Sequence, residues 1–121
     1  MAGKINSLTD AEQASYLDNS KYHIESIKFE EYVQHKCPLG EQVGVTTYKV
    51  EVVPGKQLAE LIQLHWDIQE MAMTTFTLES GANQVLEILK KHYTDAEYIS
   101  VKASCPPNRH MAVEVEVEYE K

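Results

Sequence analysis

Apolar and polar residues along this chain change period twice, and the changes predict its elements in order. From His23 to Val33 the pattern is two-fold. Ile27, Phe29 and Glu31 alternate there with Lys28, Glu30 and Tyr32, giving a strand with one face apolar at its centre. Val45 to Val53 repeats the pattern, with Tyr48, Val50 and Val52 on one side and Thr47, Lys49 and Glu51 on the other. Pro54-Gly55 stops that strand. Three-four spacing then takes over: Leu58, Leu61, Ile62, His65, Ile68 and Ala72 describe an amphipathic helix that Thr74-Thr75 breaks. A second helix from Leu78-Glu79 buries Ala82, Val85, Leu86 and Leu89, and Lys90, Lys91 and His92 suit the negative end of its dipole. Period two then returns. Ile99, Val101 and Ala103 alternate with Tyr98, Ser100 and Lys102; Val113, Val115, Val117 and Tyr119 alternate with Glu114, Glu116 and Glu118.

The order strand, strand, helix, helix, strand, strand predicts an α+β domain: a four-stranded antiparallel sheet with two helices on one face. The acid ladder of the last strand reads as a solvated face, with metal binding as the alternative. Both ends of such a sheet are open edges, and pairing with copies of the chain is the expected remedy, so a homo-oligomer follows. Residues 1–21 read as an N-terminal arm with a short helix near Ser7 to Asn19, started by a Thr9/Glu12 capping box. Residues 22–121 read as one domain.

Composition narrows the class. With 121 residues, 43% apolar and 25% charged, the chain supports one ordinary globular core. A net charge of -8 argues against a broad grip on a nucleic-acid backbone and favours a free small molecule as partner. No apolar run reaches membrane-spanning length, so no membrane partner is expected. Two cysteines and a start without an apolar signal core point to the cytoplasm, with thiols reduced.

The candidate chemistry centres on Lys36-Cys37-Pro38-Leu39-Gly40. Pro38 keeps Cys37 out of helical backbone, and the neighbouring Lys36 and His35 would lower its thiol pKa, raising the reactive thiolate fraction. A half-buried structural cysteine is the alternative. Glu79, at the start of the second helix, either complements the dipole or offers a bidentate acceptor to a ring with adjacent N–H donors. His65, on an apolar helix face, reads as a hydrogen-bonded core histidine. Cys105 and His110 flank the second turn. With His35 and Cys37 they make a soft N/S set suited to zinc; a Cys37–Cys105 disulfide or two unrelated thiols are the other readings.

These marks together resemble the tunnelling fold, and within it the nitrile-processing group: 7-cyano-7-deazaguanine reductase and the archaeosine synthase of the QueF-like type. The resemblance spans about Val33 to Tyr119. Cys37-Pro38 stands where that group has its nucleophile turn, and Val52-Val53-Pro54 ends the second strand as the family does. Glu79 follows Cys37 by 42 positions (79 minus 37), as the base-recognising glutamate would; Asn83 and the Pro107/Arg109 turn come in matching order. The resemblance implies an oligomeric barrel with sites between subunits and a guanine-like or pterin-like substrate, free or carried on tRNA or other nucleic acid. It implies roles in archaeosine or queuosine biosynthesis, with Cys37 as nucleophile and Glu79, Asn83 and Arg109 on the ring.

Departures from the family also carry meaning. The family's proton-donating aspartate, seven after the cysteine, is Gly44 here, which leaves Glu41 or another group for that task. The reductase's Glu-x-Lys-x-x-Lys stretch for its nicotinamide cofactor reads Glu60-Leu61-Ile62-Gln63-Leu64-His65-Trp66, without either lysine. That points to amide-forming chemistry with no cofactor, ahead of an NADPH-dependent reductase. Leu78-Glu79 is also how dihydroneopterin aldolases look, and the GTP cyclohydrolases of this fold hold zinc with cysteines placed like Cys37 and Cys105. Their histidine three after the first cysteine is Gly40 here. A ring-binding protein without catalysis is the remaining alternative.

Overall fold

The computed structural model of the chain describes residues 9–36, 43–72, 77–105 and 113–121. Its elements follow the order α1 (Asp10–Tyr16), β1 (Ile27–Lys36), β2 (Val43–Val53), α2 (Leu61–Ala72), α3 (Leu78–His92), β3 (Tyr98–Cys105) and β4 (Val113–Glu120). The four strands form one antiparallel sheet in the order β1-β2-β3-β4. The predicted ββααββ arrangement is therefore the one the chain adopts. β1 starts and ends later than the alternation suggested, since Ile27 is the first residue to pair, with Val52. The N-terminal helix ends at Tyr16, short of the expected Asn19, but its capping box is there. Thr9 N donates to Glu12 Oε1 and Glu12 N to Thr9 Oγ1, each at 3.1 Å.

Opposite residues of an antiparallel pair share a face, so the register sorts the sheet into two sides. Val33, Tyr48, Val50, Val52, Ile99, Val101 and Ala103 lie on the side covered by the helices and are buried. Leu64 and Ile68 of α2 and Ala82, Val85 and Leu89 of α3 close over them. Full burial of each Leu, Ile or Val is worth about 1.5–3 kcal/mol. The other side carries Lys28, Glu30, Lys49, Lys102 and the glutamates of β4, all exposed.

The helix starts show how local chemistry sets the boundaries. α2 begins at Leu61 because Glu60 reaches over it, accepting from Ile62 N at 3.0 Å and Gln63 N at 2.7 Å. Thr77, in extended backbone, caps α3 by accepting from Ser80 N at 3.0 Å. Between β2 and α2, Gly55 allows a close approach: a Cβ there would sit 2.3 Å from the backbone oxygen of Asp95. The Asp95 carboxyl accepts from Lys56 N at 2.8 Å and Gln57 N at 3.1 Å. The N-terminal arm docks on the same connection through Asn19. The amide of Asn19 donates to Ile24 O and Gly55 O at 3.0 Å each and accepts from Ile24 N at 2.7 Å.

Candidate functional site

The sheet register gathers the sequence's candidate chemistry at one end. β1 ends there at Lys36, opposite Val43 at the start of β2; β3 ends at Cys105, opposite Val113 at the start of β4. α3 runs back along β3. Its last turn lies over the far end of the sheet, where Lys90 Nζ stands 4.7 Å from the Tyr119 ring centre. Fifteen residues of helix span about 22 Å and eight of strand about 26 Å, so the first turn of α3 returns to the Cys105 end. Glu79 sits in that first turn.

Glu79 is exposed, as is Asn83 one turn on, whose amide donates to the Glu79 backbone oxygen at 3.1 Å. This bond is internal to the helix and leaves the Glu79 carboxylate to act outward. Cys105 is a half-buried free thiol with Sγ 3.8 Å from Thr46 Oγ1. Beside it Tyr48 is buried, and burial, with a smaller contribution from Cys105, pushes its phenol above the usual 10.0. His35 belongs to β1 and pairs in register with Gly44. Cys37, Glu41, Arg109 and His110 lie outside the described residues, so of the zinc set only the Cys105 side chain is described. Among the described residues no three His, Cys, Asp or Glu groups are placed to hold a metal ion.

Two polar clusters were missed by sequence reasoning. Glu31 is buried, 8% exposed, on the helix side of β1; its Oε2 meets His65 Nδ1 at 2.6 Å and Gln69 Nε2 at 2.8 Å. The available signal was the phase of the alternation, since Glu31 is a charged residue on the apolar side of β1. His65 is hydrogen-bonded, as expected, but it is not a core residue: its side chain is 44% exposed and its partner is a carboxylate from the sheet. The second cluster joins α2 to α3: His92 Nε2 lies 2.7 Å from Asp67 Oδ2, and Gln63 Nε2 donates to Asp67 Oδ1 at 2.6 Å. Both clusters depend on packing between elements distant in sequence.

The α2 geometry bears on the stretch where the reductase carries its lysines. Glu60 is occupied as the helix cap, and His65 is turned onto Glu31. Ile62 and Trp66 are exposed and apolar.

No protein-family profile matches the chain, and neither does any curated protein. Among solved structures it matches the crystal structure of the archaeosine synthase QueF-like in the apo form, with a TM-score of 0.66 and 19% sequence identity. The match covers 78% of this chain and 93% of that one. At that identity the likeness is one of fold, and it agrees with the element order, the antiparallel pairing and the helix layer described above: the chain has the tunnelling fold of the QueF-like synthase.

Proposed function

We propose that the chain is an enzyme acting on the nitrile of a deazaguanine ring, 7-cyano-7-deazaguanine free or carried on nucleic acid, and that it forms an amidine with ammonia. The observation that supports this most is the gathering at one sheet end of Lys36, which immediately precedes Cys37, with Cys105 and the exposed Glu79. In this reading the Cys37 thiolate adds to the electrophilic nitrile carbon and the nitrile nitrogen takes up a proton, giving a covalent thioimide. Ammonia then adds to the same carbon, and the C–S bond breaks to return the thiol and release the amidine. Glu79 accepts two adjacent ring donors, with Asn83 and Arg109 beside the ring. Glu41 is the candidate for the proton that an aspartate at Gly44 would otherwise supply.

Reduction to the aminomethyl product needs a hydride donor. Capping by Glu60, the Glu31 contact of His65 and the apolar Ile62 leave α2 poor in cations for a dinucleotide phosphate, which favours amidine formation. Tight NADPH binding would reverse that preference. A protein of this kind works as a homo-oligomer in the cytoplasm, its β1 and β4 edges paired between copies. Light scattering that gave a stable monomer of 13.8 kDa would remove that part of the reading.

Intact-mass spectrometry after mixing with 7-cyano-7-deazaguanine tests the core of it. Addition to a nitrile expels no leaving group, so the protein should gain the whole mass of the ligand. Cys37→Ala should abolish the adduct and Cys105→Ala should retain it. An adduct that survives Cys37→Ala places the chemistry elsewhere. A ring that binds without an adduct at any pH leaves a binding protein.

A further inference from the structure

Away from that end of the sheet, the outer sides of α2 and α3 bound a cleft of about 410 Å³ lined by Asp67, Glu70, Met71, Ile88, Lys91 and His92. Small-molecule sites run from about 300 to 1,000 Å³, so the space suits a small ligand. Its polar groups divide into a locked pair and an open pair. Asp67 has both oxygens engaged, by Gln63 and by His92, and Gln63 is itself buried at 8% exposure. Nε2 of His92 faces that carboxylate, and its Nδ1 has no partner among the described residues. Glu70 and Lys91, of opposite charge, line the same cleft, and neither makes an ion pair among the described residues. Met71 and Ile88 add apolar surface.

We propose that this cleft binds a small zwitterion, an α-amino acid with an apolar side chain. The ligand's ammonium would donate to Glu70 and to Nδ1 of His92, and its carboxylate would pair with Lys91. Its side chain would lie on Met71 and Ile88. A bare metal ion fits less well, since Asp67 is already saturated and no three ligating groups converge among the described residues. The cleft belongs to the helix layer and does not depend on the nitrile chemistry.

The test is a titration of the full chain with L-leucine, followed by long-range nitrogen-proton spectra of the histidine rings and by the Met71 methyl signal. Two arms use 4-methylpentanoate, which lacks the ammonium, and isopentylamine, which lacks the carboxylate. L-leucine should shift His92 Nδ1 and the Met71 methyl saturably, at concentrations up to about 10 mM. Each single-charge analogue should bind at least about tenfold more weakly. Glu70→Gln and Lys91→Gln alter exposed side chains and should fold, and each should cost a similar factor for L-leucine while leaving the corresponding single-charge analogue unaffected. Absence of any saturable shift with L-leucine would overturn the proposal and leave the Gln63–Asp67–His92 chain as a helix fastening. Equal binding of the amine alone would overturn the zwitterion assignment.

Discussion

His65 Nδ1 meets Glu31 Oε2 at 2.6 Å, joining the middle of α2 to the middle of the edge strand β1 through a carboxylate that is almost wholly buried. A lone carboxylate in that position would carry a large desolvation cost; two donors, from His65 and Gln69, offset it.

Removing the carboxylate should therefore cost more than removing either donor. Glu31→Ala leaves His65 without its acceptor, leaves Gln69 Nε2 only the Tyr32 backbone oxygen at 2.9 Å, and opens space beneath α2, a loss of about 1–3 kcal/mol. The His65 ring is partly exposed and can turn to water, so His65→Ala should cost less. Urea unfolding of the two single variants and the double variant measures the coupling. Strict additivity would mean that the pair contributes nothing as a pair.

Acid should loosen the β2–α2 connection at a defined point. The Lys56 N–H, with that of Gln57 behind it, holds the Asp95 carboxyl below its usual 3.8. Because the folded value is depressed, the stabilisation is present above the unfolded value and is lost as pH falls through the folded one. Unfolding midpoints at about pH 5 and about pH 3 should differ more for the native chain than for Asp95→Asn. Equal differences would remove Asp95 from the acid response. Gly55→Ala tests the same contact sterically. Its Cβ must displace backbone, at about 1–3 kcal/mol.

Tyr93 tests the opposite case. Its side chain is buried, its hydroxyl has no hydrogen-bond partner among the described residues, and burial pushes its phenol up to about 12. Tyr93→Phe removes a polar atom that gains nothing from being buried, so stability should stay level or rise by up to about 1–3 kcal/mol. A clear loss in thermal or urea unfolding would reveal a partner for the hydroxyl.

For the proposed ring site, Glu79→Gln should weaken binding of 7-cyano-7-deazaguanine far more than it weakens the fold. Glu79 is exposed, so folding has little to lose. An amide presents its own donors where the ring needs a second acceptor, a mismatch of about 1–3 kcal/mol in a bound complex. Calorimetry showing affinity within about twofold of the native chain would reduce Glu79 to a helix-start acid.

What the sequence by itself determined is the architecture. Alternation along Val45–Val53 and Ile99–Ala103 and three-four spacing along α3 marked the positions that are buried, in a sheet with its helices on one side. On α2 the spacing marked the helix but misplaced its stripe, since Leu61 and Ile62 are exposed and Leu64 joins Ile68 in the core. Thr9, Pro54 and Leu78-Glu79 marked boundaries, because caps and breakers act on their immediate neighbours. Only the tertiary structure decided the partners of the ionisable side chains. The phase of the alternation puts Glu31 on the apolar side and Glu30 on the other, but nothing local says that His65 and Gln69 will meet Glu31, or that His92 will reach Asp67 from another helix. Those pairings come from packing α2 against β1 and α3, and hydrogen bonds between side chains far apart in sequence exist only once that packing has formed.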